Sequence, residues 1–444
     1  MNKPNILYIN SHDTGRYVEP YGYPVSTPNL RSLARDGVLF RQAFCASPTC
    51  SPSRASLVTG LCAHSSGMLG LAHRGFHLND YRQHIVHTLR QDGYFCAIAG
   101  IQHVDGHGSN PSTYGARIGY DRILDIEDWK SGRGARMADE RAAEFLAGRP
   151  PQPFYLEVGF SETHRDFPAP EPEDDARFCQ PLPGLPDTLV ARQDAAAFRT
   201  SARHLDRRMG RVLDALARAG LADNTLVIAT TDHGPPFPRM KCNLTDGGLG
   251  VFLIMRGPNG FTGGKVVDGL VSQVDLFPTL CEVLGIRPPA WLQGVSLMPL
   301  VRDPRINVRE EISAEVNYHA AYEPMRCVRT ARWKYIRRYH GWPKPVLPNC
   351  DDSPSKTLWV EQGWADAPVA EQELYDLALD PFEARNLAPD PRCAGALAEI
   401  RERLEAWMRN TDDPLLRGPI PAPSGARVNR QDQKSPRDAP DIVP

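Results

Sequence analysis

The chain has 444 residues, 41% of them hydrophobic and 23% charged, which is enough apolar material for a large buried core divided over two domains. A formal net charge of −2, with Lys and Arg scattered rather than striped, excludes a phosphate-backbone binder, so no nucleic-acid partner is expected. No apolar run approaches the roughly 20 residues of a membrane span, so no membrane partner is expected either.

The opening "MNKPNILYIN" runs straight into a strand-like stretch, without the apolar core and small-residue cleavage site of a signal peptide. Ten cysteines in so long a chain fit a reducing compartment, where a cysteine is buried or chemically active more often than bridged. Cytoplasmic residence is the expectation.

Residues 5–10 read as a buried strand whose polar exit, "SHDTGRYVEPYG", is a loop. A helix follows with Thr27 as N-cap, Pro28 at the first helical position and Gly37 as terminator, then a strand from Val38. The same alternation recurs at "HIVHTLRQDGYFCAIAG", with a helix ending near Gly93 and a strand through residues 97–99. It returns in "RRMGRVLDALARAGLADNTLVIATTDHG". Repeated βα units predict an α/β fold with a mainly parallel sheet sandwiched by helices. Beyond "GVSLMPLVRDP" the texture changes: "PMRCVRTARWKYIRRYH" alternates as a hairpin and "EQELYDLALDP" as a further strand. The helix over residues 394–409 presents Leu397, Ile400, Leu404, Trp407 and Met408 to that antiparallel sheet. The predicted units are a catalytic domain over 1–310, a smaller α+β domain over 311–416, and a tail over 417–444 whose Pro, Ser, Arg and Asp content predicts disorder.

Ligands of such sheets bind beyond the carboxyl ends of the strands. Asp13 follows the first strand and Asp232 and His233 follow the strand Thr225–Thr231, so both acidic loops should open onto one crevice. Carboxylates and an imidazole there suit a divalent metal, the alternative being helix-capping aspartates and a core histidine. Lys241, in a Gly/Pro-rich turn, could reach an anion held by that metal or simply be solvated. Cys50 stands at the mouth of an apolar helix, just before Pro52 and Ser53, with Arg54 one turn in. Such a helix end binds sulfate or phosphate and would lower a thiol pKa, which leaves a nucleophilic thiolate open. Cys45 and Cys62 leave a disulfide or zinc reading open, although no C-x-x-C pair is present.

"CSPSRASLVTG" resembles the sulfatase signature, in which the cysteine of C-x-P-x-R is converted to formylglycine. The resemblance extends through "NILYINSHD", "GIQHV", "SETHRDFP", "NTLVIATTDHG", "LVSQVDLFPTLCEVLGI", "LQGVSLMPL" and "ELYDLALDPFEARNLA", over roughly residues 4–410. Within the family, "GMLGL", "DHGPPFP" and "YEPMRCVR" are most similar to the N-sulfoglucosamine sulfohydrolase branch. The resemblance implies an alkaline-phosphatase-like fold and hydrolysis of a sulfate ester or sulfamate of a sugar. It implies a formylglycine made from Cys50 by a formylglycine-generating enzyme, and a divalent metal, calcium first and manganese or zinc next. It makes Asp13, Asp232, His233 and the group at Cys50 metal ligands, with His12 as a further ligand or a donor to one. Arg54 would steady the formylglycine hydrate, His164 would protonate the leaving group, His103 would act as base, and Lys241 would clamp the sulfate.

The sequence departs from the family at three positions. His12 stands where a second aspartate is usual, His233 where asparagine is common, and Ile101 where the lysine of G-K-x-H would lie. The last keeps a formylglycine-dependent phosphonate monoester or phosphodiester hydrolase in view. The pattern also implies a sugar pocket near Glu315, His319 and Arg326, which could equally be interdomain salt-bridge partners. Among the histidines between His64 and His107, His77 is expected to reach the pocket, and the others, including His84 and His87, to lie at the surface or cap helices.

Overall fold

The computed structural model describes residues 3–106, 115–125 and 137–444. Eight strands build the main sheet: β1 (Asn5–Ser11), β2 (Val38–Phe44), β3 (Phe95–Gly100), β4 (Arg122–Ile123), β5 (Phe154–Gly159), β6 (Thr225–Thr231), β7 (Leu253–Arg256) and β8 (Lys265–Ser272). Their order is β4-β3-β5-β1-β6-β7-β2-β8. Only β7 runs antiparallel to its neighbours. Every residue of β1, β5 and β6 is buried, as expected of strands covered by helices on both faces.

Alternation along β1 divides the core. Leu7 and Ile9 join Leu205, Met209 and Val212 of the helix Leu189–Arg218, together with Leu30 and Leu33 of α1 (Pro28–Asp36). Ile6 and Tyr8 face the other way, toward Ala55, Leu57 and Val58 of α2 (Cys50–Thr59). All ten residues of α2 are buried. The helix therefore begins at Cys50 itself, with Thr49 in extended conformation as its N-cap, rather than just after Cys50. Gly60, in the left-handed region at φ 68°, ends it.

Register places the strand ends together. Ser11 pairs with Thr231, and Gly159 lies beside both Asn10 and Gly100. A Cβ on Gly159 would lie 1.8 Å from the Ile101 carbonyl oxygen, so only glycine lets the chains leaving β3 and β5 run side by side.

The second sheet is antiparallel, in the order β12-β11-β10-β9, from β9 (Glu311–Tyr318), β10 (Tyr322–Thr330), β11 (Trp333–Arg338) and β12 (Gln372–Asp376). The helix Ala394–Asn410 closes it by burying Ile400, Leu404 and Met408 against Val328, Tyr335 and Leu374. The tail is not disordered as its composition predicts. Tyr318 Oη donates to the Ile420 carbonyl at 2.7 Å, the Asn429 amide donates to the Ala320 carbonyl at 2.8 Å, and Ile420, Ala426 and Asn429 are buried. The segment has too few apolar residues for a core of its own, and it is held through its backbone by the folded body.

Glu315 and Arg326 are wholly buried and are not among the residues that line the cavity over Cys50. They join His64 and Asp413 in a buried network that ties the short helix Ala63–Ser66, just after α2, to the second sheet. His64 Nδ1 lies 2.9 Å from Glu315 Oε1, Arg326 Nη2 lies 3.3 Å from Glu315 Oε2, and the Arg326 guanidinium holds Asp413 at 2.5 and 3.0 Å. His64 is thus neither a surface nor a capping histidine. His84 does cap a helix, accepting from the Val86 amide, and His107 lies outside the described residues.

Burial lowers the His64 imidazole, yet Glu315 and Cys62 together outweigh it and leave the group well above its usual value. Burial raises the Glu315 carboxyl, but His64 and Arg326 outweigh that and hold it below the carboxylate range. A raised histidine stabilises fully below its ordinary value of about 6.5 and loses that contribution as pH climbs through the folded value. A depressed glutamate stabilises above about 4.5 and loses its contribution as pH falls. Urea unfolding should therefore show His64→Gln costing more stability at pH 6 than at pH 9.5, and equal costs would refute the charged pair. Arg326→Met, which strands two buried carboxylates, should cost about 3–5 kcal/mol in the same measurement.

Candidate active site

The site grows from the two strand ends brought into register by β1 and β6. Asp232 directly follows β6, and its Oδ1 accepts from the amides of Asp13 at 2.8 Å and His233 at 2.9 Å. Asp13, with φ 54°, occupies the left-handed region, which an aspartate tolerates better than most residues. Two buried carboxylates are thereby held together, and imidazoles close around them. His12 Nδ1 lies 2.6 Å from Asp13 Oδ1 and 3.4 Å from Asp232 Oδ2. His233 Nε2 lies 3.2 Å from Asp13 Oδ1 and 3.5 Å from Cys50 Sγ. Since a carbonyl can only accept, the 2.9 Å contact of His233 Nδ1 with the Gly234 oxygen places the proton on Nδ1 and leaves the Nε2 lone pair facing inward.

The donor atoms of His12, Asp13, Cys50, Asp232 and His233 lie within 4.8 Å of one another, and all five residues are buried. A divalent cation fits this set, because converging buried carboxylates repel one another unless positive charge lies between them. Burial holds His12 down at about 4, which keeps its imidazole neutral, the form a ligand requires. The mixed oxygen and nitrogen donors suit manganese or zinc as well as calcium.

Two fixed cations border the cluster. Arg54, wholly buried on α2, sets Nε 3.2 Å from Asp232 Oδ2 and donates through Nη2 to the Ser11 carbonyl at 3.0 Å. Lys241 Nζ stands 2.8 Å from Asp13 Oδ2 and 2.9 Å from Asp351 Oδ2. Burial raises the Asp13 carboxyl, but Lys241, His12 and His233 together hold it well below the usual range. The unmodified Cys50 thiol does not fit the nucleophilic thiolate that its position at a helix end left open. Burial pushes it well above its usual value, and the nearby Asp13 and Asp232 oppose the help that Lys241 gives. All ten cysteines are free, so no disulfide joins Cys45 or Cys62 to Cys50.

A cavity of about 770 Å³ opens above Cys50. His12, His103, His164, His319 and Ile101 line it, whereas His77 is exposed, with Nδ1 turned to the Leu78 carbonyl at 3.1 Å, and is not part of the lining. His12 forms the junction between floor and wall: its ring lies edge-on to those of His103 and His164, at centroid separations of 5.0 and 4.6 Å. His164 Nδ1 lies 2.5 Å from the Arg165 carbonyl oxygen, which places a proton on Nδ1 and frees Nε2. Arg165 is itself locked, paired with Asp194 at 2.7 and 2.9 Å between the rings of Phe167 and Phe237.

The sequence reading missed several lining residues. Burial raises the Asp351 carboxyl, but Lys241, His319 and His164 together hold it at about 2, and it sits in "PNCDDSP", where nothing in the spacing marks it. His73, Arg74 and, from the tail, Pro436 also line the cavity.

Comparison with known proteins agrees with this geometry. The pattern of the family described as "Sulfatase" matches residues 4–286, and that described as "N-sulphoglucosamine sulphohydrolase, C-terminal" matches residues 241–356. Human N-sulphoglucosamine sulphohydrolase is 30% identical, over 94% of this chain and 92% of its own length. BT4656, solved in complex with its substrate D-glucosamine-2-N,6-O-disulfate, shares the fold with a TM-score of 0.69 at 19% identity, covering 93% of this chain and 98% of that one. The phosphonate monoester hydrolase of Agrobacterium radiobacter superposes with a TM-score of 0.69 at 22% identity, covering 92% and 96%. With the signature cysteine seated among two aspartates and two histidines, and with a family match across most of the main sheet, the chain belongs to the sulfatase family.

Proposed function

We propose that the protein hydrolyses the sulfuryl group of a sulfated aminosugar, with an N-sulfate as the first candidate and an O-sulfate as the second. The supporting observation is the position of Cys50, with Sγ 3.5 Å from His233 Nε2 and inside the same buried cluster as Asp13 and Asp232. Family membership implies a divalent metal and a formylglycine, and we take calcium as the metal, with manganese or zinc as alternatives. A formylglycine-generating enzyme would be the maturation partner and the cytoplasm the compartment. When present, the formylglycine hydrate at position 50 supplies the attacking oxygen, and the cation held by Asp13, Asp232, His233 and His12 withdraws charge from the sulfuryl oxygens.

The remaining roles belong to the chain's own side chains. Arg54, locked by Asp232 and Ser11, would steady the group at position 50. Lys241, between Asp13 and Asp351, would clamp a sulfuryl oxygen, and burial strengthens that attraction. His164 would hold its second proton at Nε2, facing the cavity, and deliver it to the leaving nitrogen or oxygen. His103, on the same wall, would take the proton that departs from the hydrate. His319 would contact the sugar. It is held well below its usual value by burial and by Lys241, so it meets the substrate as a neutral imidazole.

Ile101 lines the cavity where the resemblance places a lysine, and this favours a second reading as a phosphonate monoester or phosphodiester hydrolase. Parallel assays separate the two. Under the first reading, kcat/KM on N-sulfated glucosamine exceeds that on aryl phosphonate and phosphodiester esters, and the reverse order would establish the second. Mass spectrometry of the peptide spanning position 50 should show the aldehyde, lighter than the thiol, and an unaltered cysteine in active protein would refute the nucleophile. His164→Ala should lower kcat by about 10²–10⁴-fold on sulfamates and much less on aryl sulfates with good leaving groups. An equal loss on both would remove its role as acid. Dialysis against a chelator should abolish turnover, and recovery with calcium, manganese or zinc added singly would identify the metal.

A further inference from the structure

We propose that Arg74 forms a second anion subsite in the cavity, one that takes a negatively charged substituent of the sugar other than the sulfuryl group being cleaved. The inference rests on the functional reading above and deepens it, since it predicts a substrate that carries at least two anionic groups.

The charges facing the cavity are almost all matched. Glu162 is paired with Arg208, Asp166 with Arg437 at 3.3 Å, and Asp351 with Lys241. Arg165 is paired with Asp194. Arg74 is the exception. Its guanidinium donates from Nη1 to Asn429 Oδ1 at 2.7 Å and to the Arg427 carbonyl at 3.4 Å, and from Nη2 to the Pro436 carbonyl at 2.9 Å. All three acceptors are neutral, and among the described residues no carboxylate lies within ion-pair distance of it. Three of the five guanidinium N–H groups are used in this way, which leaves Nε and one proton of Nη2 for a ligand.

This arrangement is costly without an anion. Burial and the neighbouring Arg427 both work against the charge on Arg74, yet an arginine keeps its proton under any ordinary condition. A partly desolvated, pre-oriented planar fork beside a second guanidinium is a receptor for sulfate or carboxylate. Its place in the wall separates it from the reacting centre. The cations around Cys50 bond Asp232 and Asp13, whereas every one of these Arg74 contacts goes to residues of the C-terminal segment. Arg74 also acts electrostatically on His319, which lines the same cavity, so an anion it holds would belong to the sugar bound there. The ordered tail thus has a function: Asn429 and Pro436 aim Arg74.

The test uses the matured full chain and three compounds: N-sulfated glucosamine, the same sugar with a second O-sulfate, and the same sugar linked to a uronate. Arg74→Gln should lower kcat/KM about 10- to 100-fold on one or both doubly anionic compounds and less than about 3-fold on the singly charged one. Arg74→Lys should recover part of the loss. Whichever doubly anionic compound is affected identifies the substituent as sulfate or carboxylate. Equal losses on all three, or no loss on any, would overturn the proposal. Should Arg74→Gln not fold, the wild-type preference for doubly over singly anionic substrate should fall as salt rises, and a salt-independent ratio would overturn it. If the wild-type protein cleaves none of the three, the functional reading fails while the subsite is still measured by calorimetric titration with the same compounds. At least tenfold weaker binding of a doubly anionic compound to Arg74→Gln, with the singly charged one unchanged, supports the subsite, and unchanged affinities overturn it.

Discussion

Two buried carboxylates that cannot move apart govern this structure. Pairing of Ser11 with Thr231 fixes the chain ends that carry Asp13 and Asp232, and an amide of one residue bonds the carboxylate of the other. In a buried environment that proximity is tolerable only when positive charge surrounds it. Arg54 and Lys241 bring that charge from different parts of the chain, while His12 and His233 place ring nitrogens beside the carboxylates. The ligand set for a divalent cation and the receptor for a tetrahedral anion are thus two aspects of one charge balance.

The same balance explains why α2 is buried on all sides. An amphipathic helix would present one face to solvent, whereas this one delivers Cys50 to the cluster, Ser53 Oγ to the Asp232 carbonyl at 2.5 Å and Arg54 to the strand ends. The short helix that follows it is fastened by the His64, Glu315, Arg326 and Asp413 network, so the segment after Cys50 is tied to the second sheet. Burial also raises the Cys50 thiol, which makes the unmodified cysteine a poor nucleophile and fits a role as precursor.

Part of the cavity wall is assembled late in the chain. Asp351 reaches Lys241 from the connection between β11 and β12, and the C-terminal segment folds back to hold Arg74 through neutral acceptors.

Much of this was legible in the sequence because it depends on local periodicity and local chemistry. Alternating βα units announced the sheet, Pro28 and Gly37 bounded α1, and "CSPSRASLVTG" marked Cys50 and Arg54 through a motif whose spacing is itself the signal. Asp13, Asp232 and His233 followed from the rule that parallel strands open their ligand sites at one edge. Residues 417–444 misled because composition reports whether a segment can build its own core, not whether a folded surface will hold its backbone. Glu315, Arg326 and His64 were misplaced, and Asp351 and Arg74 missed, for a related reason: the setting of a charge is defined by partners that the sequence does not place beside it. The sequence by itself determined which residues could do chemistry at the strand ends, while only the tertiary structure decided which charges neutralise one another, because the partners of a charge come from distant parts of the chain.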